Sequence, residues 1–468
     1  MQVKNLYKAA PANRMNSMGR IIFALCNVFA LFVCFNAHAF EVIKENAGWC
    51  WYQGERAIAA GDSIIFASVK SPEGDIDITS WNLKTGETKT KTLDPHFNSD
   101  DHAAPGLLQL PDGRVLAAWN SHYNAFDPAK NLHMFYTKTL NGTDISEWEH
   151  VKSLKNGGCY NNLIMLPDEN NRIYNFTRAA GFNPNWHYSD DMGETFPYGG
   201  RLIKWKFDPK DPKKTKLDGN RPYPKYASNG RDKIHIATTE DHPRAYDNSI
   251  YHAYIKGGNI YRTDGTLVGP LSKDGENGPS PLDLTTVFEG DADHVAWTMD
   301  VREDKNGRLA ILFSVQENYG YLRETMSHQA FDLRYYYAVW DGGKWNVHNI
   351  ANAGTALYEI ECDYTGLGSL DPNDVNRVYI STNSDPQTGR PLVSAADGKR
   401  RYEIFRGVTE DGGSTWAWTP ITENSNCDNL RPIVPVGDAD KRAVIWLRGK
   451  FIDYCRYDLD AVGFIDEK

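Results

Sequence analysis

Residues 189–196 read SDDMGETF and residues 409–416 read TEDGGSTW. Both fit one pattern: Ser or Thr, then Asp two positions on, Gly at the fifth, Thr at the seventh and an aromatic residue at the eighth. Each position has a physical reason. The Ser/Thr hydroxyl and the Asp carboxylate can collect the backbone N–H groups of a tight turn, and Gly supplies a backbone angle that other residues avoid. The aromatic residue then anchors the turn by packing. The same turn made twice, more than 200 residues apart, implies a repeated unit.

The repeat is found by following the other turns. A Gly/Asn/Asp-rich turn followed by an apolar strand occurs as AAGDSIIFAS near residue 61, LPDGRVLAAW near 112, LPDENNRIYNF near 169 and ASNGRDKIHIA near 230. It returns as EDKNGRLAILFS near 306, DPNDVNRVYIS near 374 and GDADKRAVIWL near 438. Short alternating runs rich in Val, Ile, Tyr, Phe and Trp lie between, and long amphipathic helical periods are scarce, which is an all-β pattern. Seven units, spaced roughly 50–75 residues apart, predict a seven-bladed β-propeller in which loops lengthen the usual period of ~40–50. Six blades with an N-terminal cap is the alternative. The turn quoted first is the Asp-box of sialidase-like propellers, a structural device that says little about chemistry. The Pro/Lys-rich stretch 206–226 reads as a surface excursion between blades three and four.

Residues 1–39 are set apart. Lys4, Lys8, Arg14 and Arg20 precede an apolar run, Ile21 to Phe35, and then Ala37-His38-Ala39. A basic region, a short apolar core and a small-residue end predict a secretory signal cut after Ala39. The apolar run is shorter than the ~20 residues of a spanning helix. The expected mature protein is therefore one propeller domain, residues 40–468, soluble, secreted and monomeric, with no membrane partner. The formal charge is 51 − 61 = −10, which excludes a general nucleic-acid binder but not a local cationic cleft for an anionic substrate. Cys26 and Cys34 leave with the signal; Cys50, Cys159, Cys362, Cys427 and Cys455 remain. Their spacing does not diagnose a metal site, so the metal ligands stay unassigned while a structural ion stays open.

Candidate chemistry starts at DDHAAPGLLQLPDGRVLAAWNSHY, residues 100–123. With Asp112-Gly113 as a two-residue turn, cross-strand partners sum to about 225, and His102 and His122 sum to 224. The two imidazoles should lie nearly opposite each other at a propeller rim, beside Asn120. There they could bind a metal, bind a sugar or move protons; the plain alternative is that both are ordinary loop residues. Tyr188 precedes the first Asp-box, and Arg201 follows it. Residues 221–265 then collect Arg221, Tyr223, Tyr226, His235, His242, Arg244, Tyr246, Tyr251, His252 and Arg262. Guanidinium forks suit carboxylate or sulfate, and rings suit pyranose faces.

The run RPYPKYASNG…IH…T…HPR…Y.NSIYHAYI..G..YR.DG, with the Asp-box and the histidine pair, resembles the BNR-repeat family that includes propeller-type ulvan lyases. The resemblance implies β-elimination on ulvan, a sulfated polysaccharide of rhamnose and uronic acid, leaving a 4,5-unsaturated uronate. It implies catalytic roles for His102, His122 and Tyr188, with Arg201 neutralising the carboxylate and Arg244 or Arg262 as substitutes. Tyr246, Arg244, Arg262 and Asn120 are expected to bind substrate. Arg, His and Tyr suffice for such an elimination, so no cofactor is required for catalysis. Two rivals stand beside it. A sialidase-like glycoside hydrolase needs an arginine triad, a Tyr-Glu nucleophile pair and an acidic Asp early in the chain, and no convincing early Arg of that sort is found; hydrolysis with paired carboxylates also leaves the histidine pair unexplained. A non-catalytic carbohydrate-binding propeller would use the same rings and arginines without a tuned base.

Overall fold

Seven turn-and-strand repeats become seven sheets, antiparallel but for one added parallel edge strand in the first. The computed structural model describes residues 40–466 apart from 123–124, 180–182, 206–207, 209, 214–220, 273–277, 318–331, 359–360, 362 and 440. The expected leader, 1–39, and Cys362 lie outside the described residues. The first strands of successive blades are Ala57–Gly61, Gly106–Gln109, Cys159–Leu166, Lys225–Ser228, His294–Glu303, Gly368–Asp371 and Asp428–Ile433. From the first blade to the seventh, each first strand touches the next. Six of the seven repeated turns join the first strand of a blade to its second, and the seventh, near 438, follows Val436–Ala439 and leads into the second strand of the last blade. The fold is thus the seven-bladed propeller, and the six-blade alternative falls.

Closure explains why no cap is needed. Glu41–Lys44 pairs with Arg456–Ile465, Val42 opposite Val462, so an N-terminal strand completes the last blade. Val436–Ala439 runs parallel to Ala57–Gly61, with Ile58 opposite Val436. Among the described residues, the last blade is thereby stitched to the first on both its outer and inner sides.

The Asp-boxes work as the sequence pattern requires. Ser189 Oγ accepts from Gly193 N at 2.8 Å, while Asp191 accepts from Glu194 N at 3.1 Å, Thr195 N at 3.0 Å and Thr195 Oγ1 at 2.6 Å. Thr409 and Asp411 repeat this, with 2.9 Å from Gly413 N and from Thr415 N. Gly193 has φ +80°, and a β-carbon there would come within 3.2 Å of Leu116 in the preceding blade. Glycine serves both demands. Phe196 meets Tyr136 edge-on at 5.1 Å, and Trp416 meets Tyr337 at 5.2 Å. Each box therefore fastens its blade to the one before it.

The centre is filled by the segment from Trp49 to Arg56. Trp49 Nε1 donates to Arg431 O of blade seven at 3.3 Å, and Trp51 Nε1 to Thr298 O of blade five at 3.2 Å. Gly54 N donates to Asn161 O of blade three at 3.0 Å, Leu107 N of blade two to Glu55 O at 2.8 Å, and Ala67 N of blade one to Arg56 O at 2.9 Å. The Tyr52 ring packs 5.0 Å from Tyr223 ahead of blade four, and Trp51 5.1 Å from Tyr364 ahead of blade six. One short segment touches all seven blades or the residues leading into them.

Candidate active site

The hairpin that carries the two histidines is in register 106↔118 through 109↔115, so partners sum to 224. The turn is three residues long, Pro111 to Gly113, closed by Leu110 N to Arg114 O at 2.8 Å. That replaces the expected two-residue turn and sets His102 level with His122. Their rings stack at 4.3 Å, 9° from parallel. Asp100 orders both: its carboxylate lies 2.6 Å from His102 Nδ1 and 3.1 Å from His122 Nδ1.

Like charges on two stacked rings repel, so the pair divides its protonation. Burial and then the neighbouring His102 push His122 down to about 4. Burial also opposes a charge on His102, but Cys50, Tyr160, Asp100 and Asp101 beside it lift it well above an ordinary histidine. Burial would raise Asp100, yet the two imidazoles hold it far below the carboxylate range. Near neutrality the trio is an aspartate, an imidazolium at 102 and a neutral imidazole at 122.

Tyr160 stands over this pair, its ring 5.5 Å from His102 and 5.7 Å from His122. It lies on a bulge at the start of blade three's first strand, in the left-handed region with φ +61°. A bulky residue there is held by its surroundings, a feature that clusters at functional sites. Asn162 Nδ2 fixes the bulge by donating to Tyr160 O at 2.8 Å and Tyr52 O at 2.9 Å. The Arg178 guanidinium lies 4.4 Å from the Tyr160 ring centre. Register makes this inevitable, because Arg178 pairs with Cys159. Burial raises the Tyr160 phenol well above its usual range, with Arg178 and His102 pulling the other way. Tyr223 Oη accepts from Arg221 Nε at 2.9 Å and from Arg178 Nη1 at 3.3 Å. Tyr52, Tyr160, Arg178, Tyr223 and Tyr226 line one narrow cleft. The stretch 206–226, expected to be a surface excursion, thus ends inside the site.

Several expected site residues lie elsewhere. Tyr188 pairs with Tyr174 at the Asp-box end of its strand, under Arg172 at 5.1 Å. Pro184, level with Arg178, is four residues away, about 13 Å along a strand. Tyr188 therefore packs between blades three and four and is not brought to the histidines. Arg201 sits opposite Asn185 on the fourth strand of the blade, three strands out from Tyr160 and about 14 Å sideways. Tyr246 donates to Asp211 at 2.6 Å, and burial and that carboxylate raise its pKa. Arg262 is exposed and donates to Asp283 O at 2.8 Å. Asn120 is buried beneath the hairpin and accepts from Asn161 Nδ2 at 2.9 Å. Arg244 does reach the site's far wall: it pairs with Glu361 at 2.8 Å, and Glu361 also meets His242 Nε2 at 3.2 Å. His242 in turn lies 5.3 Å from the Tyr223 ring.

Among the described residues, metal donors exist in two overlapping sets, each with ligand atoms within 4.8 Å of one another: Asp100, His102 and His122, and Cys50, Asp101 and His102. A metal on the first set would displace the hydrogen bonds that Asp100 now makes to both rings. The four described cysteines, Cys50, Cys159, Cys427 and Cys455, are free thiols.

A propeller with Asp-boxes and a His/Tyr/Arg cleft over its centre defines a class, and the comparison of sequences agrees. The chain belongs to the BNR repeat-containing family, which it matches over residues 50–353. Within that class it is similar to the Ulvan Lyase-PL25 of Pseudoalteromonas sp. (strain PLSV), 27% identical over 163 residues, covering 31% of this chain and 33% of the relative. It is also similar to an ulvan lyase of Alteromonas sp. (strain LOR), 25% identical over 163 residues with the same coverage. The match spans about a third of the length of these curated relatives. A solved PL25 ulvan lyase superposes with TM-score 0.63 at 14% identity, over 90% of this chain and 95% of that one. Polysaccharide lyase Uly1 superposes at 0.56, with 11% identity, over 89% and 90%. At such identities these structures speak to the fold.

Proposed function

We propose that the protein is a secreted polysaccharide lyase that cleaves an ulvan-type polymer, sulfated rhamnose linked to uronate, by β-elimination. The observation that carries this reading is the Tyr160–Arg178 pair set against two Asp100-ordered histidines. The lyase relatives and the superposition on a PL25 lyase bound to -[GlcA(1-4)Rha3S]- support the substrate class.

Roles follow from charge. The Arg178 guanidinium takes the uronate carboxylate and offsets the enolate-like charge that grows as C5 loses its proton. His122, kept neutral by burial, accepts that proton. The C4–O4 bond breaks, its electrons leave with O4, and the C5–H pair becomes the C4=C5 double bond. Tyr160, kept protonated by burial, gives its proton to O4. His102 stays cationic and steadies Asp100 and the phenolate. Hydrolysis by a carboxylate pair fits less well, because Asp100 is committed to the two imidazoles and Asp101 to Arg431.

Incubation with ulvan should raise absorbance near ~235 nm, the signature of a double bond conjugated to a carboxylate, and Tyr160→Phe should lower turnover about 10²–10⁴-fold while polymer binding persists. Chain shortening without that absorbance would make the protein a hydrolase. Retention of the polymer with neither change would make it a lectin. Export is tested separately, by the N-terminus of the protein recovered outside the cell, expected at Phe40.

A further inference from the structure

Buried charges in a folded protein are paired or neutralised. The central segment breaks that balance. Five charged side chains meet there: Glu55, Arg56, Lys225, Asp300 and Arg302. Both carboxylates serve one cation. Arg302 makes a two-pronged contact with Glu55, at 2.6 and 3.0 Å, and its Nε lies 3.2 Å from Asp300. Asp300 is otherwise occupied by Val301 N at 3.0 Å, Leu370 N at 3.0 Å and Ser369 Oγ at 3.3 Å. The nearest further carboxylate along the segment's contacts, Asp101, is engaged by Arg431 and His102.

Arg56 and Lys225 are left with carbonyls only. Arg56, 8% exposed, donates Nη1 to Cys50 O at 3.2 Å, and its buried Nε has no hydrogen-bond partner. Lys225, 5% exposed, donates to Trp51 O. These carbonyls belong to consecutive residues, the Arg56 charge acts on Lys225, and among the described residues neither makes an ion pair. Three cations face two carboxylates in the same buried pocket of charge. Lys225 feels this: burial first, then Arg56, lowers it to about 7.

We propose that a single monovalent anion of halide size, chloride in ordinary solution, occupies the propeller's centre between Arg56 Nε and Lys225 Nζ. One negative charge closes the imbalance, and a spherical acceptor satisfies both the orphaned Nε–H and the ammonium. The site is separate from the cleft and carries no step of the proposed elimination.

Crystals of the full mature chain grown with sodium bromide in place of chloride test this by anomalous scattering. A buried bromide peak touching Arg56 Nε and Lys225 Nζ is expected. In solution, melting in chloride is compared with melting in gluconate at equal ionic strength. Well above half-saturation, each tenfold rise in chloride should add about 1.4 kcal/mol, and Lys225→Met should abolish the dependence. The bromide experiment needs no variant, so a Lys225→Met chain that fails to fold leaves the test intact. Absence of the peak, with melting the same in both salts, overturns the proposal and shifts the neutralisation to a deprotonated Lys225.

Discussion

At the scale of single residues, the site turns on which tyrosine and which histidine carry protons. If neutral His122 is the base, its folded-state pKa of about 4 sets the acid limit. A histidine with the ordinary value near ~6.5 would lose activity below that pH. Here kcat/KM should hold down to about pH 5 and fall only as pH drops through about 4. The stability sign agrees. The unfolded chain binds a proton at this histidine near ~6.5 and the folded chain does not until about 4, so His122 subtracts stability as pH falls between the two. A kcat/KM profile breaking at 6.5 would remove His122 from the base role. Tyr188→Phe should stay within a few-fold of the parent, in contrast to Tyr160→Phe, when both are assayed at 235 nm. The sequence carried the histidine pair plainly, since hairpin arithmetic needs only a turn. It did not separate Tyr160 from Tyr188, because both flank Gly/Asn/Asp-rich turns. A signal was present: Tyr160 precedes its blade's repeated turn by about as many residues as His102 precedes its own, and Tyr223 does the same in blade four. Counting back from each turn reaches the central face; being next to an Asp-box does not.

At the scale of elements, the Asp-box is a fastener between blades, and its parts should fail in a graded order. Phe196→Ala removes a side chain that is 3% exposed against Tyr136, a loss of about 3–5 kcal/mol by large-to-small precedent. Asp191→Ala frees two backbone N–H groups and the hydroxyls of Ser189 and Thr195 at an exposed turn, which water can re-satisfy, so about 1–2 kcal/mol is expected. Gly193→Ala meets both an unfavourable φ and Leu116, and should fall between them. Denaturant midpoints at constant m-value check the order. A Phe196→Ala change below that of Asp191→Ala would mean that the hydrogen bonds, not the ring, hold the blade. These boxes and the seven repeated turns made the fold legible from sequence. Blade closure was not legible, since nothing in EVIK, residues 41–44, distinguishes an outermost strand of the last blade from a cap. Only its partner, Arg456–Ile465, does so.

At the scale of the whole molecule, two N-terminal pieces do different jobs, and this separates stability from function. Glu41–Lys44 covers the open edge of Arg456–Ile465, and Glu41 accepts from Trp81 Nε1 at 2.7 Å. Removing it exposes a strand edge far from the cleft. A chain beginning at Glu45 should therefore melt earlier, with kcat/KM unchanged within about twofold when assayed well below its transition. The central segment is different. Trp51 is 2% exposed, packs edge-on against Trp297 at 5.0 Å and Tyr364 at 5.1 Å, and adjoins Tyr52, which floors the cleft beside Tyr160 and Tyr223. Trp51→Ala leaves a large hole where all blades converge, costing about 3–5 kcal/mol. The rings above it then lose their support, and a displacement near 1 Å at a proton-transfer site costs about 10²-fold in rate. Trp51→Ala should thus lower both melting temperature and turnover, whereas loss of the closing strand lowers melting alone. If the shortened chain lost turnover as well, closure of the ring would be what shapes the cleft, and the segment Trp49 to Arg56 would be only a filling.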